Sequence, residues 1–151
     1  MKTLFTLSFG ILIAGLASAA QAPNNPVPQT APMKVVTAPQ ANGVYRYYDN
    51  EFRILALGHN RLKVQFNGIY HTRAKSVNMG EATGEATIEG NVATFVPPDM
   101  QGCKITMTFL RGKLVVKQDG DDATCGFGHN VYATGTYKKV RSGKPKFESP
   151  I

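Results

Sequence analysis

The chain has 151 residues, a formal net charge of +7 and only two cysteines. That length supports a single domain of ordinary size, and the positive balance favours anionic partners. Two cysteines without a C-x-x-C spacing exclude a thioredoxin-like redox role.

The N-terminus reads as an export signal in three parts. Lys2 supplies the positive start, Leu4 to Leu16 an apolar stretch, and Ala17-Ser18-Ala19 the small-residue cleavage pattern. The apolar stretch is well short of the roughly 20 residues of a spanning helix, no later segment is apolar enough to span, and no cysteine stands near the cleavage point to carry a lipid. The expectation is a signal peptide over 1–19 and a periplasmic or secreted product with no transmembrane segment. Loss of Lys2 with the leader lowers the charge from +7 to +6. In an oxidising compartment Cys103 and Cys125 most simply form one disulfide.

Residues 20–41 follow as a spacer. Pro23, Pro26, Pro28, Pro32 and Pro39 stand among Asn, Gln, Thr and Ala, a composition that removes backbone donors and offers little to bury, so the segment reads as disordered. Met33 to Val36 is its one apolar patch.

From residue 42 to 140 the dominant signal is alternation with period two. Leu62, Val64 and Phe66 alternate with Lys63, Gln65 and Asn67; Ala82, Gly84, Ala86 and Ile88 alternate with Thr83, Glu85, Thr87 and Glu89; Cys103, Ile105, Met107 and Phe109 alternate with Lys104, Thr106 and Thr108. Such stretches build a half-buried antiparallel sheet. The predicted strands are Gly43–Tyr48, Glu51–Leu57, Leu62–Tyr70, Ala74–Val77, Glu81–Glu89, Val92–Val96, Cys103–Leu110, Lys113–Gln118 and Val131–Val140. Gly58-His59-Asn60, Gly90-Asn91 and Arg111-Gly112 fall between them, where tight hairpins need positive φ. Eight or nine consecutive short strands in an exported domain fit an up-and-down antiparallel β-barrel, whose closure removes the exposed edges; a two-sheet sandwich is the alternative. Tyr45 and Tyr47 near the start and Tyr137 near the end point to pairing of first strand with last. Residues 141–151, with Arg141, Lys144, Lys146, Pro145 and Pro150, read as a flexible basic tail.

Motifs for chemistry are sparse. His59, His71 and His129 form neither H-x-H nor H-E-x-x-H and read as solvated loop residues rather than metal ligands. Asp119-Gly120-Asp121-Asp122 lacks the alternating oxygen ligands and distal Glu of a calcium loop and reads as an acidic turn. Neither a G-x-S-x-G elbow nor a Ser–His–Asp spacing is present. Glu81, Glu85 and Glu89 share the outward side of one strand, whereas a glycosidase acid sits in an apolar pocket. The chain reads as non-enzymatic, without cofactor or metal.

Three features invite binding instead. Basic residues concentrate between 42 and 80, where Arg53, Arg61, Lys63, Arg73 and Lys75 stand out as partner-binding candidates. With the neighbouring tyrosines the composition would suit a nucleic acid, but export argues against one; an anionic envelope polymer, a membrane surface or an acidic enzyme cleft fits the same charge. The run Cys125-Gly126-Phe127-Gly128-His129-Asn130 is either a pinned corner before the last strand or a rigid loop presenting Phe127 and His129 to a partner. Ala82, Gly84 and Ala86 either pack under large residues such as Phe66 and Phe109 or leave room inside the barrel for a small apolar ligand.

An exported, basic, disulfide-bearing barrel spanning roughly residues 42–140 resembles the periplasmic lysozyme inhibitors of bacteria, and the Cys103…Cys125-Gly-Phe-Gly…Gly135-Thr-Tyr137 pattern also resembles other exported bacterial proteins. The resemblance implies inhibition of a bacterial or host hydrolase such as lysozyme. It further implies a Ser-Gly loop with a basic side chain aimed at catalytic carboxylates. Here the matching stretch is Ser142-Gly143-Lys144 with Phe147 beyond, in the predicted tail rather than in a hairpin.

Overall fold

A computed structural model describes residues 36–147. The predicted signal peptide, the spacer as far as residue 35 and the last four residues lie outside the described part. A one-turn helix α1 (Ala38–Ala41) precedes eight strands: β1 (Gly43–Tyr47), β2 (Asn50–Gly58), β3 (Arg61–His71), β4 (Val77–Glu89), β5 (Val92–Phe95), β6 (Lys104–Leu110), β7 (Lys113–Asp119) and β8 (Gly135–Ser142). Each pairs antiparallel with the next, and β8 returns to β1, so the sheet closes into a barrel. Closure decides between the two architectures read from the sequence and leaves no sandwich edge.

The alternation sets which side of each strand faces in. One inward ladder runs Tyr45, Phe52, Phe66, Ala82 across β1 to β4; another runs Leu62, Ala86, Phe95, Ile105 across β3 to β6. Phe52, Phe66, Phe95, Phe109, Ile54, Leu62, Met107, Leu114 and Tyr137 are fully buried. Size alternation fills the interior: Ala82 stands opposite Phe66, and a Cβ on Gly84 would come within 3.0 Å of the Phe95 ring. The small residues Ala82 and Gly84 of β4 therefore stand against the aromatic rings of Phe66 and Phe95.

Hairpin chemistry is local. His59 and Asn60, the two loop residues between β2 and β3, have φ of 50° and 57°, the paired left-handed geometry of a two-residue turn that follows strand twist.

Two predicted strands differ. Ala74–Val77 is not a separate strand: Ser76 carbonyl accepts from Thr72 N–H, Thr72 carbonyl from Lys75 N–H, and Lys75 lies at φ 64°, so residues 72–76 turn and β4 runs unbroken from Val77. Val131–Val140 is strand only from Gly135. Val131 and Ala133 are apolar in alternation because they plug the barrel end, with the Tyr137 hydroxyl donating to the Ala133 carbonyl at 2.8 Å.

The ends of the barrel are closed differently. At one, α1 folds in, burying Ala41, whose carbonyl accepts from the Tyr45 hydroxyl at 2.8 Å. Residues 36–41, expected as the end of a disordered spacer, thus belong to the barrel. At the other, the Cys103–Cys125 disulfide fastens the start of β6 to the long loop after β7. Across a 22-residue separation such a crosslink contributes about 3 kcal/mol by restricting the unfolded chain.

Residues 141–147 also depart from the predicted flexible tail. Arg141 and Ser142 complete β8, and the following segment crosses the outside of the barrel. Lys146 carbonyl accepts from Arg53 Nη1 at 2.8 Å, Lys63 Nζ stands 4.5 Å over the Phe147 ring, and Pro145 is buried. Val44 and Gln65 belong to the outward ladder Val44–Arg53–Gln65, yet both are buried.

Candidate interaction surface

The plug loop is built by its acids. The Thr124 side chain and the Thr124 N–H, the latter at 2.7 Å, hydrogen-bond to Asp121 and lower its pKa. Asp122 accepts from the N–H groups of Ala123 and Asn130 and lies 3.4 Å from His129 Nδ1. These carboxylates organise backbone.

Their product is a wedge. Phe127 is buried with its ring centroid 5.1 Å from that of Phe66. Gly68 and Gly80 face each other across β3 and β4; a Cβ at Gly68 would meet Phe66 and Val131 at 2.6–2.7 Å, and one at Gly80 would meet Phe127 and Val131 at 2.8–2.9 Å. The two glycines leave the slot into which the wedge fits. The expectation that Phe127 is presented to a partner is thus corrected: it is core. His129 remains exposed, its carbonyl accepting from Asn78 at 2.6 Å.

The basic residues expected to form one binding patch are largely engaged. Arg53 ion-pairs with Glu51 at 2.6 Å and holds Lys146; Arg61 pairs with Glu85 at 3.1 Å; Lys63 lies over the Phe147 ring. Burial alone would raise the pKa of Glu51, but hydrogen bonds and charge from Arg53 and Arg46 outweigh it and hold the carboxyl below its usual range. Arg73 and Lys75 are exposed on the 72–76 turn; Ser142 and Lys144 are exposed at the opposite end of the barrel. The nine candidates do not converge on one surface.

Closure of the barrel assembles a different cationic face. Arg46 on β1 stands opposite Lys138 on β8, and Lys138 opposite Lys113 on β7. Directly opposed side chains lie about 5 Å apart at Cβ. Lys117 is exposed further along β7, Arg111 in the turn before it and Arg141 at the end of β8. Among the described residues Arg46 reaches a carboxylate, Glu51 at 2.5 Å, while no ion pair forms to Lys113, Lys138 or Arg141. On the strand diametrically across, β4 turns Glu81, Glu85 and Glu89 outward. The glutamates of β4 thus lie across the barrel from Lys113 and Lys138, and Glu85 is paired with Arg61 of β3.

A tyrosine corner borders the basic face at the disulfide end. Tyr47 and Tyr48 have ring centroids 4.7 Å apart with planes at 63°, and Tyr47 lies 5.6 Å from Tyr137. Asn50 ties the corner to the plug loop by donating to the Tyr132 carbonyl at 3.2 Å.

At the helix end a recess of about 370 Å³ opens among Val36, Gln40, Tyr45, Phe109, Arg111 and Lys139. Lys139 points inward there, donating to the Gln40 carbonyl at 2.8 Å and standing 5.2 Å from the Tyr45 ring. Burial lowers its pKa because desolvation disfavours the charged form.

Among the described residues no helix is long and apolar enough to cross a membrane. Comparison with protein-family models, curated proteins and solved structures finds no match to this chain.

Proposed function

We propose that the protein is an exported, non-catalytic binding module that takes an acidic protein partner on the β7–β8–β1 face. Its sharpest form is an inhibitor of a cell-wall hydrolase such as lysozyme, whose cleft presents two carboxyl groups. The observation that carries this reading is the registered row Lys113–Lys138–Arg46, set on the opposite side of the barrel from the glutamates of β4. Opposed lysines repel, so the row costs stability in the free protein and is relieved by an anionic partner. The row also steers the barrel into one orientation as it approaches such a partner.

The filled interior weighs against a carrier of small apolar ligands. An anionic envelope polymer shares the charge requirement and is separated by co-sedimentation with peptidoglycan and anionic vesicles. The inhibitor form is tested by assaying lysozymes of several types with the purified mature protein at micromolar concentration. Inhibition of at least one is expected; full activity of all of them would reject the inhibitor form.

A further inference from the structure

We infer that the anchor of this partner face is the tyrosine corner at Tyr47 and Tyr48, and that its occupant is an acidic protein surface carrying an aromatic or apolar side chain beside its carboxylates. The inference rests on the acidic-partner reading and adds the group that confers selectivity.

Tyr48 is the side chain that the fold itself explains least. It is the first of the two residues linking β1 to β2, has φ of 49° and is 86% exposed. Two-residue hairpins favour Gly, Asn or Asp where φ is positive, and a bulky residue there is an outlier. Tyr48 accepts the strain of the left-handed conformation while gaining little burial. Strain of this kind, at an exposed aromatic residue, is a pointer to recognition.

Its neighbour is held ready. The Tyr47 ring lies so close over Gly135 that a Cβ there would meet it at 2.6 Å, and Tyr137 and Tyr48 contact its sides. A ring already fixed in place loses little freedom on binding. The two rings pack edge to face, with centroids 4.7 Å apart and planes at 63°, and Tyr48 extends this packed pair into the hollow beside Arg46.

The electrostatics match. Arg46, Tyr48, Asp49, Asn50 and Glu51 line a hollow of about 260 Å³, and Arg46 leads directly to Lys138 and Lys113. The carboxylates at the corner face basic groups of the same molecule: Asp49 lies 3.2 Å from His71 Nε2, and Glu51 sits between Arg46 and Arg53. Tyrosine beside arginine is the combination enriched in the energetic centres of protein interfaces.

The test uses three labelled probes of equal charge: a glutamate peptide, the same peptide with one central Phe, and an oligomer of galacturonic acid. Wild type is expected to bind the Phe peptide about tenfold more tightly than the plain one, the range of a single anchoring side chain. Tyr48→Asn, whose new residue tolerates positive φ, is expected to fold at least as stably and to lose that tenfold preference. Equal binding of both peptides by wild type, unaffected by Tyr48→Asn, would overturn the inference and leave the acidic-partner reading standing. A Tyr48→Asn effect confined to the galacturonate oligomer would overturn it in favour of a glycan. Failure to bind either peptide would overturn the acidic-partner reading and the inference with it.

Discussion

Lys113 on β7 and Lys138 on β8 stand directly opposite each other, like charges in the register where the sheet would gain most from unlike ones. Like charges so placed destabilise a sheet by about 0.2–1 kcal/mol. Lys138→Glu would face Lys113 on one side and Arg46 on the other, so it is expected to raise stability by about that amount in urea titration while weakening capture of an acidic partner. A loss of stability would show that the row is not under electrostatic strain.

The glycine slot makes the loop around Phe127 a structural element rather than a displayed one. Phe127→Ala empties the wedge above Phe66 and is expected to cost about 3–5 kcal/mol. His129→Ala, on the exposed side of the same loop, should stay within about 0.5 kcal/mol. Chemical denaturation of the two variants separates the roles; similar small losses in both would contradict the wedge.

The segment after Gly143 acts as an external strap. A chain ending at Gly143 loses the Lys146 carbonyl that accepts from Arg53 and the Phe147 ring under Lys63. The first is a hydrogen bond from a charged donor, worth about 1.5–3 kcal/mol, and the second about 0.5–1 kcal/mol. Truncation is therefore expected to destabilise the barrel by about 2 kcal/mol or more and to speed amide hydrogen exchange at the covered Val44 and Gln65. Unchanged exchange there would mean that the strap does not shield the face.

Glu51 supplies a pH dependence of definite sign. Its folded pKa is lowered by Arg53 and Arg46, so its contribution is present above the unfolded carboxyl value of about 4.3 and is lost as pH falls through the lower folded value. Glu51→Gln is expected to cost about 1–2 kcal/mol near neutral pH and to flatten the stability profile on the acid side. An equally steep acid limb in the variant would assign that loss to other carboxylates.

The barrel was legible because the signal that builds it is local: Leu62-Lys63-Val64-Gln65-Phe66 states in five residues which side faces in. The irregular parts were not, because their pattern serves distant partners. Val131 and Ala133 alternate like a strand while plugging an end, and Gly80, on the inward side of β4 with Ala82, carries no side chain because Phe127 rests on it. The candidate surface was legible least. Arg53, Arg61 and Lys63 cluster in sequence, but Glu51 and Glu85 come to Arg53 and Arg61, and Phe147 to Lys63. Arg46, Lys113 and Lys138 are far apart in the chain and become a row through the closure of β8 on β1. The available signal was the shared outward parity of Lys113 with Lys117 and of Thr136 with Lys138, combined with the first-to-last pairing that Tyr45, Tyr47 and Tyr137 indicated.

Localisation of binding to one side of the barrel follows from the row Lys113–Lys138–Arg46. It is tested most directly by titrating an aromatic-free glutamate peptide against wild type, the double variant Lys113→Glu/Lys138→Glu and the charge-matched control Arg73→Glu/Lys75→Glu on the 72–76 turn. A loss of about tenfold or more is expected in the first variant and a change within about twofold in the control, the difference shrinking as salt rises. Equal losses in the two variants would show that only net charge matters and would contradict it.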